Sequence, residues 1–315
     1  MDKHKVSVII IAKNEPRIGY TLESLAEQTM KPHEIIIVVD DQNDVSAKIA
    51  MNHVEQLPLK IVVNDIPGYG GARKKGVETS SGDIILFIDA DCVADKKWIE
   101  NLVKVFLDFN VMVQAGKSIC VKSPREITGM DEKRRDSCFR IQFLRFALTQ
   151  NFAFRKEVVR AVGNFDPQFR KGGEDLDFCT RLRKAGYRIY YNPTARVYCL
   201  ARSFYASLRK AWRDGQSRAL AFLKHKEAML SDSLICFTHA ASLIMLVILL
   251  IAGFPSIAIL IFLPSLLHRL YRAFISMKQG LPILTSLLNS FITYFSHLSF
   301  FLSLPSLALQ KCTRN

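Results

Sequence analysis

The chain has 315 residues, 49% apolar and 23% charged, with 43 Lys and Arg against 29 Asp and Glu, a net charge of +14. This length accommodates one large or two modest domains with a sizeable core, and the composition excludes a disordered tail, a collagen-like chain and a small disulfide scaffold. A basic balance alone leaves three partners open: nucleic acid, a membrane surface or an anionic substrate.

The first hundred residues alternate between two periodicities. Short β-branched runs at Val6–Ala12, Glu34–Val39, Lys60–Val63 and Asp83–Ile88 are of buried-strand type. Between them, helical stretches are predicted at about Ile18–Gln28, Val45–Val54, Gly71–Thr79 and Lys96–Phe109. Such alternation predicts a parallel sheet covered on both faces, with ligands bound beyond the carboxyl ends of its strands. Acidic groups stand at three of those ends: Lys13-Asn14-Glu15, Asp40-Asp41 and Asp89-Ala90-Asp91. Helix capping would account for any one of them, but not for paired carboxylates in register. Gathering carboxylates is costly without a cation. Oxygen donors of this kind suit Mg²⁺ or Mn²⁺, typically one or two carboxylates with substrate phosphates. Gly68-Tyr69-Gly70-Gly71-Ala72-Arg73 opens a helix and places Arg73, Lys74 and Lys75 beside it, a composition compatible with a diphosphate although it matches no full phosphate-loop fingerprint.

Further on, Gly172-Gly173-Glu174-Asp175 starts a helix whose Leu176, Cys179, Leu182 and Ala185 share one face, with Gly186 as its stop. Acidic residues there also complement the helix dipole without any chemistry. From Arg196 to Glu227 eight basic and two acidic residues are interleaved with Leu208, Trp212 and Phe222, which predicts a cationic amphipathic helix at lipid headgroups. No nucleic-acid reader motif accompanies it, so nucleic acid is not expected as a partner. Ser233–His268 lacks any formal charge for 36 residues, about 54 Å of helix against a hydrocarbon core of about 30 Å. A break at Gly253-Phe254-Pro255 makes two spans and Gly280–Gln310 a third, with a re-entrant or interfacial helix in place of one span as the rival topology, and no charge is expected mid-span. The positive-inside rule puts 196–227 and a loop over His268–Lys278 in the cytoplasm. The basic start of the chain has too short an apolar run for a signal peptide, so the body is expected to be cytoplasmic. The seven cysteines, none in a Cys-x-x-Cys pair, read as small apolar fillers in a reducing compartment.

Five segments in order, VSVIIIAKNE, EIIIVVDDQND, GYGGARKKGVETSSGDIILFIDADC, NFAFRKEVVRAVGNFDPQF and GGEDLDFCTRLRKAG, span roughly residues 5–200. Together they resemble the family-two inverting glycosyltransferases. The resemblance implies an α/β GT-A fold, a Rossmann-like mixed, mostly parallel sheet at residues 1–200. An amphipathic interfacial segment at 201–232 and a transmembrane helical region at 233–315 would follow. It implies a hexosyltransferase whose donor is a nucleotide-diphosphate sugar, expected to be UDP-linked. The acceptor would be a hydroxyl of a lipid-linked or cell-envelope glycan, with membrane lipids as a further partner. By this likeness Glu15, Asp40 and Asp41 line the base and ribose pocket, and Ala12, Asn14, Gly71, Arg73 and Ala90 also belong to the donor site. Asp89 touches the nucleotide sugar, and Asp91, with Asp89, holds Mg²⁺ or Mn²⁺. Asp175 is the general base and Glu174 orients a sugar. The chain departs from the family in reading DDQND where a Gly-Ser turn is usual, and Arg196-Val197-Tyr198-Cys199-Leu200 supplies no histidine ligand. It also lacks the Gln-x-x-Arg-Trp motif of processive synthases, which favours the addition of one sugar or a few. A polyprenyl- or dolichyl-phosphate sugar synthase is the alternative within the fold. A non-catalytic membrane scaffold that binds nucleotide sugars is the alternative outside it.

Overall fold

The computed structural model describes residues 5–129, 142–278 and 283–312. By chain contacts it divides into two compact units, Met1–Ala201 and Arg202–Asn315.

The first unit opens with β1 (Val6–Ala12), α1 (Ile18–Ala26), β2 (Glu34–Val39), α2 (Val45–Met51), β3 (Leu59–Val63), α3 (Tyr69–Thr79) and β4 (Ile84–Ile88). It continues with β5 (Cys92–Ala94), α4 (Trp98–Asp108), β6 (Val113–Val121), β7 (Phe143–Leu144), β8 (Asn151–Arg155), α5 (Val158–Val162), α6 (Glu174–Lys184) and β9 (Ile189–Leu200). Among the described residues these strands form one mixed sheet in the order β3-β2-β1-β4-β8-β6-β9-β5, with β7 also paired to β9. The run β3-β2-β1-β4 is parallel throughout, as the alternation predicts. Beyond it β8 runs antiparallel to β4 and to β6, while β6 and β9 are parallel.

The central strands are β-branched because both faces are covered. Ile10, Ile35, Ile37 and Leu86 join Leu22, Trp98 and Phe106 in one core layer; Ile9, Ile36, Ile85 and Phe87 join Phe154, Phe165 and Phe178 in the other. A polar clamp ties the start of β2 to its neighbours. Glu34 accepts hydrogen bonds from Ser7 Oγ (2.6 Å), Ser81 N (2.6 Å) and Lys60 Nζ (2.6 Å). Burial opposes ionisation there, yet the lysine and hydroxyl donors overcome it and hold the carboxyl down at about 2.

One cysteine expectation is corrected. The antiparallel register of β5 and β9 sets Cys92 opposite Cys199, on the same face, and the two are joined as a disulfide. Cys179 is buried as a filler, its thiol pushed up to about 12 by that burial. Cys236 is also buried, Cys120 is exposed, and Cys138 lies outside the described residues.

The second unit contains α7 (Phe204–His225), α8 (Leu230–Ile251), α9 (Pro255–Lys278) and α10 (Ile283–Cys312). Ser203 caps α7 by accepting from Ala206 N. Helices α7 and α10 approach closely at Gly215, where an added Cβ would lie 2.1 Å from the Ser296 carbonyl oxygen, and Ser299 Oγ donates to the Trp212 carbonyl (2.6 Å). Among the described residues, three helices are long and apolar enough to cross a membrane, over Ser233–Ile251, Pro255–Met277 and Ile283–Leu307. The first two part at Gly253, whose φ of 82° is the left-handed conformation glycine favours at a helix end. The stretch 268–278 is not a loop: α9 runs through it. Arg269 therefore falls inside an apolar span, where it is buried against His239 and His297, contrary to the expectation of no charge mid-span.

Candidate active site

The order β2-β1-β4 puts three strand ends side by side, and each acidic cluster follows one of them. After β1 the chain turns sharply, with Asn14 at a φ of 47°. Asp44 holds this turn, accepting from Asn14 N (2.8 Å) while also capping α2 through Ser46 N (2.7 Å). Glu15 N donates to Ser46 Oγ (2.9 Å). The end of α2 nearest the sheet thus fixes the first acidic group.

Cations bridge the clusters. Lys13 Nζ donates to Asp40 (2.7 Å), joining the ends of β1 and β2. Arg17 donates to both Glu15 oxygens (2.7 and 2.6 Å) and reaches Asp91 (3.3 Å), joining the ends of β1 and β4. Those carboxylates raise the Arg17 pKa further, the Glu15 hydrogen bond most of all. Arg73, only 4% exposed, pairs with Glu174 and lies 3.5 Å from Asp89. It thereby connects the Asp89-x-Asp91 turn to the start of α6.

Glu174 is buried and its Oε2 has no hydrogen-bond partner among the described residues. Burial pushes its pKa up to about 7; Arg73 opposes this, and the neighbouring Asp175 and Asp89 add to it. Asp175 is half-buried and accepts from Leu176 N (2.7 Å). Gly172 and Gly173, at φ 122° and 85°, make the turn that delivers this pair.

Other expected residues stand apart from these bridges. Asp41 is exposed and accepts from Asn43 N (2.7 Å) within its own turn. Ala12 ends β1, and Ala90 is buried, its carbonyl accepting from Thr21 Oγ1 (3.0 Å). The glycine loop packs on protein: Tyr69 N and Gly70 N donate to the carbonyls of Arg170 and Phe169, and a Cβ on Gly71 would lie 1.9 Å from the Ile66 carbonyl oxygen. That packing accounts for the glycines without a ligand. Arg17 and Asp44 were not singled out from the sequence. Their signal, a basic residue two positions beyond Glu15 and an acidic residue one position before a helix, is too common to have been decisive.

The oxygen donors fit a hard divalent cation. Asp89 and Asp91 supply two carboxylates at one turn, and no group of three or more His, Cys, Asp or Glu suited to a metal occurs among the described residues. This is the sparse set that Mg²⁺ completes with water and phosphate.

A mixed sheet whose β4 ends in an Asp-x-Asp turn, linked through Arg73 to the carboxylate pair at the start of α6, defines an α/β protein with its acidic residues gathered at the carboxyl ends of its parallel strands. Residues 7–163 match the family described as Glycosyl transferase family 2. The chain is 30% identical over 224 residues to glycosyltransferase AglE of Haloferax volcanii, covering 68% of this chain and 72% of that protein. It is 27% identical over 215 residues to the glucosyl-dolichyl phosphate glucuronosyltransferase of the same organism, covering 61% of this chain and 68% of the relative. Among solved structures, it resembles a mannosyltransferase from Pyrobaculum calidifontis in complex with GDP-Man and Mn²⁺, with a TM-score of 0.61 and 18% identity over 95% of this chain and 87% of that one. S. aureus TarS 1–349 in complex with UDP-GlcNAc gives a TM-score of 0.51 at 18% identity, covering 72% of this chain and 73% of that one. The chain belongs to glycosyl transferase family 2, has the GT-A fold and is a glycosyltransferase.

Proposed function

We propose that this is a membrane-anchored inverting hexosyltransferase that uses Mg²⁺ or Mn²⁺. It moves a sugar from a nucleotide diphosphate, UDP-linked in our reading, to a hydroxyl of a lipid-linked or cell-envelope glycan. The observation that carries this reading is the bridge from Asp89 through Arg73 to Glu174, beside Asp175, because it sets a donor-side turn next to an acceptor-side base.

In the reaction the bond between the anomeric carbon and the diphosphate oxygen breaks as the acceptor oxygen bonds that carbon from the opposite face. Asp175 accepts the hydroxyl proton, and the diphosphate leaves with the electron pair. Asp91 and Asp89 would hold the metal, which when bound neutralises charge on the leaving diphosphate. Glu15, Asp40 and Asp41 line the base and ribose pocket, with Ala12, Asn14, Gly71 and Ala90 along the donor. Arg73 fixes Glu174, whose burial beside Asp175 and Asp89 raises its pKa against the opposing charge of Arg73.

The arrangement along the chain supports an acceptor at the bilayer. Residues 1–200 form the catalytic domain, 201–232 an interfacial segment and 233–315 the membrane region, with the catalytic domain on the cytoplasmic side. A base is needed for a hydroxyl but not for a phosphate acceptor, which is already ionised. A relative named for glucosyl-dolichyl phosphate nonetheless supports a second reading, a polyprenyl- or dolichyl-phosphate sugar synthase. Asp175→Asn separates the two. It abolishes transfer to a hydroxyl while donor binding persists; retained transfer to a polyprenyl phosphate favours the second reading.

A further inference from the structure

The second unit contains a cluster that sugar transfer does not use. Helix α8 contributes His239, α9 His268 and Arg269, and α10 His297. Arg269 Nη2 donates to Nδ1 of His239 and to Nδ1 of His297 (2.7 Å), and those two nitrogens are 3.0 Å apart. The His239 ring stacks on His297 at 5.0 Å and lies 5.2 Å from His268. His239, Arg269 and His297 are all buried. Further charge of the same sign faces these rings: Arg272 faces His268 from α9, and Arg218 faces His297 from α7. Residues 233–315 contain no Asp or Glu at all.

Two imidazoles accept the guanidinium N–H groups but bring no negative charge. They also spend on Arg269 the lone pairs a metal would need, so the cluster favours an anion over a cation. His239 lies six residues inside the span beginning at Ser233, and Arg269 eight residues before Met277, placing them about 9 and 12 Å along their helices from the same end of the bundle. Arg272, exposed, stands one turn nearer that end. Leu266, Leu267, Leu270 and Phe274 are exposed apolar side chains along the same helix. A phosphate on acyl chains suits this combination: Arg272 and the guanidinium of Arg269 offer charge-assisted donors to its oxygens, and the exposed apolar side chains of α9 offer a surface to its chains.

We propose that Arg269, with His239, His268, His297 and Arg272, forms an intramembrane site for the phosphate headgroup of a membrane lipid. The proposal rests on the reading of α8, α9 and α10 as membrane helices and not on the transfer chemistry, so the test reads lipid binding alone.

The full chain is purified in neutral detergent and offered phosphatidic acid, phosphatidylcholine or inorganic phosphate, and retained ligand is counted by native mass spectrometry. Wild type is expected to retain one phosphatidic acid per chain in preference to phosphatidylcholine, and its melting temperature is expected to rise saturably with phosphatidic acid. Arg269→Gln is expected to reduce retention by about tenfold, the scale of one charge-assisted contact. Should that variant not fold, Arg272→Gln is expected to reduce retention by about threefold. Absence of preferential retention and of the melting shift in wild type overturns the site. Equal retention by wild type and by the folded variant also overturns it and leaves the cluster as a helix tie. Displacement of the lipid by inorganic phosphate with the same melting shift overturns the lipid as its source.

Discussion

Arg73 does more at the residue scale than its position near the glycine-rich start of α3 implies. Its side chain is buried between Asp89 and Glu174, so one cation serves carboxylates from β4 and α6. Removing it would leave Glu174 without its charge partner in a buried setting, which costs about 3–5 kcal/mol when one member of a buried pair is lost. Arg73→Ala is therefore expected to lower the melting temperature and abolish transfer, and thermal unfolding alongside an activity assay checks both. Glu174 imposes a pH dependence. Because folding raises its pKa from 4.5 to about 7, the folded state binds the proton more tightly, and this group's contribution to stability declines as pH rises across that interval. Glu174→Gln removes that slope; urea titrations from pH 4.5 to 7.5 in which the variant keeps the full wild-type slope would refute the assignment.

Glu34 shows the opposite sign and belongs to the element scale, since it clamps the starts of β1, β2 and β3. Its folded pKa is about 2, below the ordinary 4.5, so its stabilisation is complete above pH 4.5 and is lost as pH falls toward 2. Glu34→Ala is expected to cost about 2–4 kcal/mol at pH 7 and much less at pH 2. In the second unit, Gly215→Val should separate α7 from α10, because the Ser296 carbonyl already occupies the space a Cβ needs. Loss of thermal stability in detergent would register this, and an unchanged melting temperature would contradict the packing. The parallel strands were legible in the sequence because burial on both faces leaves continuous runs such as VSVIII and EIIIVV. The later strands were not. β7 has two residues, β6 changes register against β9 between Gly116 and Lys117, and β6 passes from three buried positions to a mixture of half-buried and exposed ones, so it follows neither strand pattern along its length. Likewise the three acidic clusters could be read from their places after strands, whereas the arginines that bridge them could not. Arg17 meets Asp91 across 74 residues and Arg73 meets Glu174 across 101, separations at which no local pattern operates.

At the scale of the whole molecule the charge of +14 separates into distinct groups. Arg17 and Arg73 neutralise carboxylates in the first unit, while Arg218, Arg269 and Arg272 face a cluster of imidazoles in the second. The apolar content divides in the same way between a covered sheet and three helices long enough to cross a bilayer. Under the proposed membrane anchoring the chain should stay with the membrane pellet after alkaline carbonate extraction; release into the supernatant would contradict that anchoring. Glycosyl transfer through Asp175 is tested most directly by incubating membranes containing the wild type or Asp175→Asn with a panel of nucleotide sugars and Mn²⁺ or Mg²⁺, then weighing the extracted lipids by mass spectrometry. Wild type should add one sugar's mass with one donor, and Asp175→Asn should bind that donor yet add none; wild-type turnover by Asp175→Asn would contradict the base, and no increment from any donor would contradict the proposed transfer.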